Sequence, residues 1–241
     1  MTSGNFIVYT LVASGPLREA IRASAWSGGF RPVTLNSARE YLSLPASPVP
    51  ACLILGIDLP DMSGAELQAR IGNEGAAIVF VSEEVDIPRC VRAIKAGAVD
   101  FLTLPLDPRE LVRAIHNAIE LDGRRRAARA RIWDLERRYR TLTAREGELF
   151  ALITKGLLNK QAASVLGISP MTVQIHRGRI MRKMAARSFA DLVRFADALE
   201  VARRPDHRSQ GAAHALDAGE RSNGAGQWAP PVGPCETLAG D

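Results

Sequence analysis

CLILGIDLPDMSG, residues 52–64, decides the fold. Cys52 to Leu55 is a short, unbroken apolar run, the pattern of a strand buried on both faces, and the stretch rich in Asp, Pro and Gly after it is a turn. Ser63 suits the N-cap of the helix that follows. At the end of such a strand a functional carboxylate is the residue to look for, and the chain has Gly56 there.

The same unit repeats on both sides. Residues 6–12 (FIVYTLV) form an apolar run rich in β-branched and aromatic residues, and a helix from Pro16 to Trp26 follows, ended by Gly28 and Gly29. A weaker strand at Arg31–Leu35 leads to a helix at Ser37–Leu44. After the quoted strand come a helix at Ser63–Ile71, a strand over 77–81 (AIVFV), a helix at Ile87–Ala96, a strand over 99–102 (VDFL) and a helix from Asp107 onward. Five alternations of strand and helix predict an α/β domain with a five-stranded parallel sheet covered on both faces. In such sheets the functional crevice lies at the carboxyl ends of the strands, where the strand order reverses.

The composition of the 241 residues is 46% hydrophobic, enough for real cores. No apolar run approaches the ~20 residues that cross a bilayer, and the N-terminus lacks the build of a signal peptide. Cys52, Cys90 and Cys235 are far apart and the four histidines are scattered, so neither a disulfide framework nor a metal site is expected. These features predict a reduced, cytoplasmic, soluble protein without a membrane segment or a cofactor. Charge is unevenly spread: residues 1–121 hold 10 Lys/Arg against 13 Asp/Glu, whereas residues 122–241 hold 21 against 13. An acidic half joined to a basic half suits a regulatory module attached to a nucleic-acid binder.

Past Asp107 the helical pattern hardly stops. Ile132, Leu135, Tyr139 and Leu142 keep a 3–4 spacing among many arginines, so residues 122–140 read as a linker helix. Its narrow apolar stripe suits docking or pairing with a second copy, or it is a solvated, charged connection. Residues 141–201 read as all-helical. Thr143 and Glu146 stand at capping-box spacing, and Gly167-Ile168-Ser169 separates two short helices, the second opening on Pro170. Residues 202–241, rich in Gly, Ala and Pro without periodicity, read as a disordered tail carrying Cys235 as an exposed thiol.

On a helical wheel, Val173, Ile180 and Met184 share one face, which packs inward. Met171, Gln174, Ile175, Gly178 and Arg182 share the opposite face, with Thr172 and Arg179 at its edges. A short helix with one apolar face, a tight turn before it and cations outside meets the needs of a recognition helix in a major groove. Gln174 can read a base edge, preferring adenine, and Ile175 can meet a thymine methyl. Arg179, Arg182, Lys183 and Lys160 are candidates for phosphate contacts, and His176 reads as structural.

These residues carry a resemblance. LTAREGELFALITKGLLNKQAASVLGISPMTVQIHRGRIMRKMAARSFADLV is similar to the four-helix DNA-binding domain of the LuxR/NarL/FixJ type, over about 60 residues, whose signature is LTxRE, then NKxIAxxLGIS, then TVxxHxxxIxxKM. It departs at Ala162, where a larger aliphatic is usual, and at Gly178, where a long basic residue is common. The first 121 residues resemble the receiver domain of FixJ-type response regulators, a flavodoxin-like fold, through DLPDMSG, AIKAGAVDFL and the order of elements. That resemblance implies a metal-binding acidic pair after the first strand, an acceptor Asp ending the third, a Ser or Thr after the fourth and a Lys after the fifth. Laid on this chain the pair falls on Val12 and Ala13, the acceptor on Gly56, the hydroxyl on Ser82 and the lysine on Leu104.

The expectation is therefore a pseudo-receiver over 1–121, a linker over 122–140 and a helix-turn-helix domain over 141–201. Together they make a non-enzymatic transcription regulator that binds double-stranded DNA as a homodimer and acts independently of aspartyl phosphorylation. A regulatory protein or a small ligand is a possible partner of the emptied receiver site. Two alternatives stand beside it: an interaction scaffold whose receiver binds another regulator or kinase, and a conventional regulator phosphorylated on Asp58.

Overall fold

The computed structural model describes residues 6–84 and 86–203. The chain folds as β1 (Ile7–Leu11), α1 (Gly15–Ser27), β2 (Arg31–Thr34), α2 (Ala38–Ser43), β3 (Ala51–Gly56), α3 (Gly64–Ile71), β4 (Ala77–Ser82), α4 (Ile87–Lys95) and β5 (Asp100–Thr103). It continues as α5 (Pro108–Tyr139), α6 (Ala144–Thr154), α7 (Asn159–Leu166), α8 (Pro170–Met184) and α9 (Phe189–Arg203). The expected tail, with Cys235, lies outside the described residues from 204 on, and residues 202 and 203 belong to α9.

The five strands are parallel in the order β2-β1-β3-β4-β5, so the order reverses between β1 and β3. β3 is buried at every position, as a continuous apolar run requires when helices cover both faces. Val8, Cys52, Ile54, Val79 and Val81 meet Ile21 of α1 and Leu111, Ile115 and Ala118 of α5 on one face. Leu11, Leu53, Leu55, Ile78 and Phe80 meet Ala38 of α2 and Leu67 and Ile71 of α3 on the other.

The turn after β3 is pinned at Gly64. Its N–H donates to the Ile57 carbonyl at 2.7 Å, and a Cβ there would lie 2.4 Å from the Gly56 carbonyl oxygen. Only glycine lets the start of α3 approach the strand end this closely. Ser63 and Glu66 close a reciprocal capping box beside it. This turn fixes the register in which Gly56, not Asp58, ends β3.

The expected linker over 122–140 is not a separate element. α5 runs unbroken from Pro108, because the helical period persists while the buried face passes from one core to another. Its first turns pack on the sheet, and Leu135 belongs to a third cluster with Leu149, Phe150, Ile153, Val173, Ile180, Met184 and Leu192, with Tyr139 packed against it. Asp122, read as the first linker residue, is fully buried.

Candidate nucleic-acid interface and strand-end crevice

The third cluster is built by caps before it is built by packing. Thr143 accepts from the Glu146 N–H and Glu146 accepts from the Thr143 N–H, starting α6. Gly167 ends α7 in the left-handed region at φ 63°. Ser169 Oγ then accepts from the Thr172 N–H at 3.0 Å, with Pro170 in the first turn of α8. The turn directs Val173, Ile180 and Met184 inward, where all three are fully buried. Ala162 is fully buried against them, so the small residue sits in the core.

The outer face of α8 is that expected from the wheel. Met171 is 71% and Ile175 51% exposed, and Gln174, Gly178, Arg179 and Arg182 are exposed as well. A Cβ on Gly178 would meet nothing within 4 Å. Lys160 is exposed on α7. Among the described residues no ion pair holds Lys160, Arg179 or Arg182, so these cations are free to meet phosphates. Thr172 is half-buried, its hydroxyl 2.8 Å from Ser169 Oγ, and thus braces the cap.

Lys183 has a different place from the other cations. Its ammonium donates to Glu146 Oε2 at 2.5 Å and to the Thr141 carbonyl at 2.9 Å. Glu146 is 2% exposed. The Lys183 hydrogen bond first, and the Thr143 N–H second, hold its carboxyl down to about 2. His176 is half-buried with Nδ1 unpartnered among the described residues, in keeping with a structural position.

Sequence reasoning missed a side-chain relay between α7 and α8. Arg177 stacks over the Phe189 ring at 4.6 Å and donates to Asn159 Oδ1 at 3.1 Å. Asn159 Nδ2 donates to Gln174 Oε1 at 3.3 Å. The partners are 15 and 18 residues apart, and no helical spacing could reveal them.

The expected receiver positions lie at the carboxyl ends of β1, β3, β4 and the edge strand β5. Val12 follows β1 and is buried, Ala13 beside it is exposed, and Gly56 ends β3. A Cβ on Gly56 would lie 3.5 Å from Val12 Cα and 3.7 Å from Leu59 Cδ2, ordinary contact distances. Ser82 Oγ donates to the Glu84 carbonyl at 2.7 Å and accepts from the Glu84 N–H, so its hydroxyl serves its own loop. The half-buried Leu104 follows β5, its N–H donating to the Ser82 carbonyl. Arg18 donates to the Val12 carbonyl at 3.0 Å.

A divalent cation needs several oxygen ligands. Val12, Ala13 and Gly56 supply no side-chain oxygen, so the donor set does not fit one. Asp58 is exposed and lies 3.7 Å from Arg89 of α4. Asp61 instead caps α2, accepting from the Ala38 and Arg39 N–H groups at 3.0 Å, and these bonds lower its pKa. The Cys52 thiol, buried in β3, is pushed up by desolvation and is no reactive nucleophile. No helix among the described residues is long and apolar enough to cross a membrane.

Comparison with known proteins agrees with both halves. Residues 16–116 match the response regulator receiver domain, and residues 140–196 match the bacterial regulatory proteins of the luxR family. Nodulation protein W of Bradyrhizobium diazoefficiens is 37% identical over 206 residues, covering 85% of this chain and 91% of that protein. Transcriptional regulatory protein FixJ of Rhizobium meliloti is 32% identical over 194 residues, covering 80% of this chain and 95% of that one. Among solved structures, the response regulator StyR superposes with a TM-score of 0.68 at 37% identity, covering 80% of this chain and 99% of that one.

Proposed function

The chain belongs to the FixJ-type response regulators with a LuxR-family DNA-binding domain, and we propose that it binds double-stranded DNA without prior phosphorylation of its receiver. The observation that carries the proposal is the make-up of the strand-end crevice. Val12, Ala13 and Gly56 offer no carboxylate to a metal or a phosphoryl group, and Leu104 offers no cation. Without those four side chains the receiver is a pseudo-receiver. It holds one conformation or answers to a partner protein or a small ligand.

On DNA, α8 enters the major groove with Met171, Gln174 and Ile175 toward base edges. Arg179, Arg182 and Lys160 neutralise phosphates. Two copies bind as a homodimer to half-sites about 34 Å apart, one helical turn. Gly178 leaves that part of the face bare, so base preference differs from relatives with a long basic side chain there.

The test adds Mg²⁺ and beryllofluoride to the full chain, follows its NMR spectrum, and measures DNA affinity with and without a small-molecule phosphodonor. The expected result is an unmoved spectrum around Gly56, no phosphate incorporation and equal affinity. Shifts at the neighbours of Gly56, or phosphate on Asp58, would overturn phosphorylation independence while leaving DNA binding intact. Unchanged DNA affinity when Thr172, Arg179 and Arg182 are changed to Ala together would instead favour the scaffold.

A further inference from the structure

We propose that Asn159 sets the base preference of this protein by fixing which end of the Gln174 amide faces away from α7. The inference rests on the reading of α8 as the recognition helix and deepens it. A free glutamine is ambiguous, because its amide can turn by half a rotation and exchange a donor for an acceptor at the same place. In this chain the rotation is blocked by a chain of partners whose first member has no choice.

That first member is Arg177. Its guanidinium can only donate, so the Asn159 atom 3.1 Å from it must be the carbonyl oxygen. The Asn159 NH₂ group then faces the other way, toward Gln174, and the Gln174 atom that receives it at 3.3 Å must be Oε1. Arg177 is itself held over the Phe189 ring at 4.6 Å, which anchors the start of the relay on α9. Three side chains from three helices thus settle one amide orientation before DNA arrives.

The consequence is chemical. Among the described residues the end of the amide without a protein partner is the NH₂ group, with two donors to satisfy. In the major groove, guanine offers N7 and O6 and thymine offers O4 as acceptors, whereas cytosine presents a donor. Gln174 therefore favours guanine or thymine at the position it reads and disfavours cytosine. Oε1 keeps one lone pair, so adenine is met only in the orientation that turns its N6 amino group toward α7. This narrows the unqualified adenine preference expected of a glutamine. Asn159 is a positioning residue that need not touch DNA.

The experiment selects binding sites from a randomised double-stranded pool with the full chain and its Gln174→Ala, Asn159→Ala and Asn159→Asp variants. Gln174→Ala marks the position that Gln174 reads, by flattening it. In the wild type, guanine or thymine exceeds cytosine there by about fivefold or more, the low end for a specific base contact. Asn159→Ala frees the amide, and the ratio falls below about twofold. Asn159→Asp replaces the donor by an acceptor, so the amide turns its NH₂ group inward and Oε1 outward. Bases with amino groups, cytosine and adenine, then become the enriched ones.

A change of base identity at one position is a readout that general loss of structure would not produce. An aspartate at the first position of α7 suits the helix N-terminus, so this variant keeps its fold. The same preference in wild type and Asn159→Asp, or no position flattened by Gln174→Ala, overturns the inference with DNA binding intact. Failure of the wild type to enrich any sequence overturns the DNA reading itself.

Discussion

Lys183 and Arg182 are neighbours in sequence and both basic, yet the structure gives them opposite surroundings. Arg182 is exposed and, among the described residues, without an ion pair, whereas Lys183 neutralises a glutamate that is 2% exposed. Lys183→Met is therefore expected to lower stability by about 2 kcal/mol, the cost of leaving a buried hydrogen-bonded charge unpaired, and to leave the salt dependence of DNA binding unchanged. Arg182→Ala is expected to do the reverse, reducing the salt slope by about 1 with little change in melting temperature. Melting curves and binding titrations over a range of salt check both. The same pair gives a pH dependence whose sign follows from the direction of the shift. Glu146 titrates near 4.5 when free and near 2 when folded, so its contribution is complete above about pH 4.5 and disappears as the pH falls toward 2. In Lys183→Met the Glu146 carboxyl is no longer held down as far, so its share of the acid-induced loss becomes smaller. At this scale the sequence was legible where partners are close. The Thr143–Glu146 box follows from a spacing of three, whereas the Glu146–Lys183 pair joins residues 37 apart and leaves no local mark.

Elements were more legible than their junctions. The strands announce themselves as apolar runs because both faces of a parallel sheet are covered, and the caps at Ser63, Thr143 and Ser169 mark helix starts. The boundary at 121/122 was not legible, because α5 passes from the sheet to the helical cluster without changing period. At 32 residues it spans about 48 Å. What ties it down is Asp122, an acid among arginines. It accepts from the Ala51 N–H at 2.9 Å and from Arg126 Nε at 2.6 Å. Arg126 also donates to the Ser47 carbonyl, and Arg129 to that of Asn73. Asp122→Ala would strand the Ala51 donor and leave Arg126 without its buried partner. The expected loss is about 3 kcal/mol, the range for breaking a buried pair by removing one member. Chemical denaturation measures it, and hydrogen exchange at Ala51 localises it. Were Asp122 an ordinary linker residue, its replacement would cost under about 0.5 kcal/mol.

For the molecule as a whole, the uneven charge and the absent crevice chemistry lead to one arrangement. A basic LuxR-family domain carries affinity for DNA, and under the reading proposed above a receiver without phosphoryl chemistry would serve that affinity by bringing two copies together. The order of domains was legible from motifs in the sequence, but the point at which the chain can be cut was not. Leu135 is 5% exposed within the helical cluster, and Tyr139 packs edge-on to Phe150 with ring centroids 5.5 Å apart. A fragment beginning at 141 lacks both, and loss of a buried leucine alone costs about 2–5 kcal/mol. A fragment beginning at 123 retains both and is expected to melt at a clearly higher temperature. With no phosphodonor present, that longer fragment should bind an inverted repeat about 10²-fold more weakly than the full chain, because it lacks the linkage that makes the second half-site intramolecular. On a single half-site the two should bind alike. If the fragment binds the repeat more tightly than the full chain, the receiver restrains the DNA-binding domain. Binding without phosphate would then depend on a partner or ligand that releases the restraint.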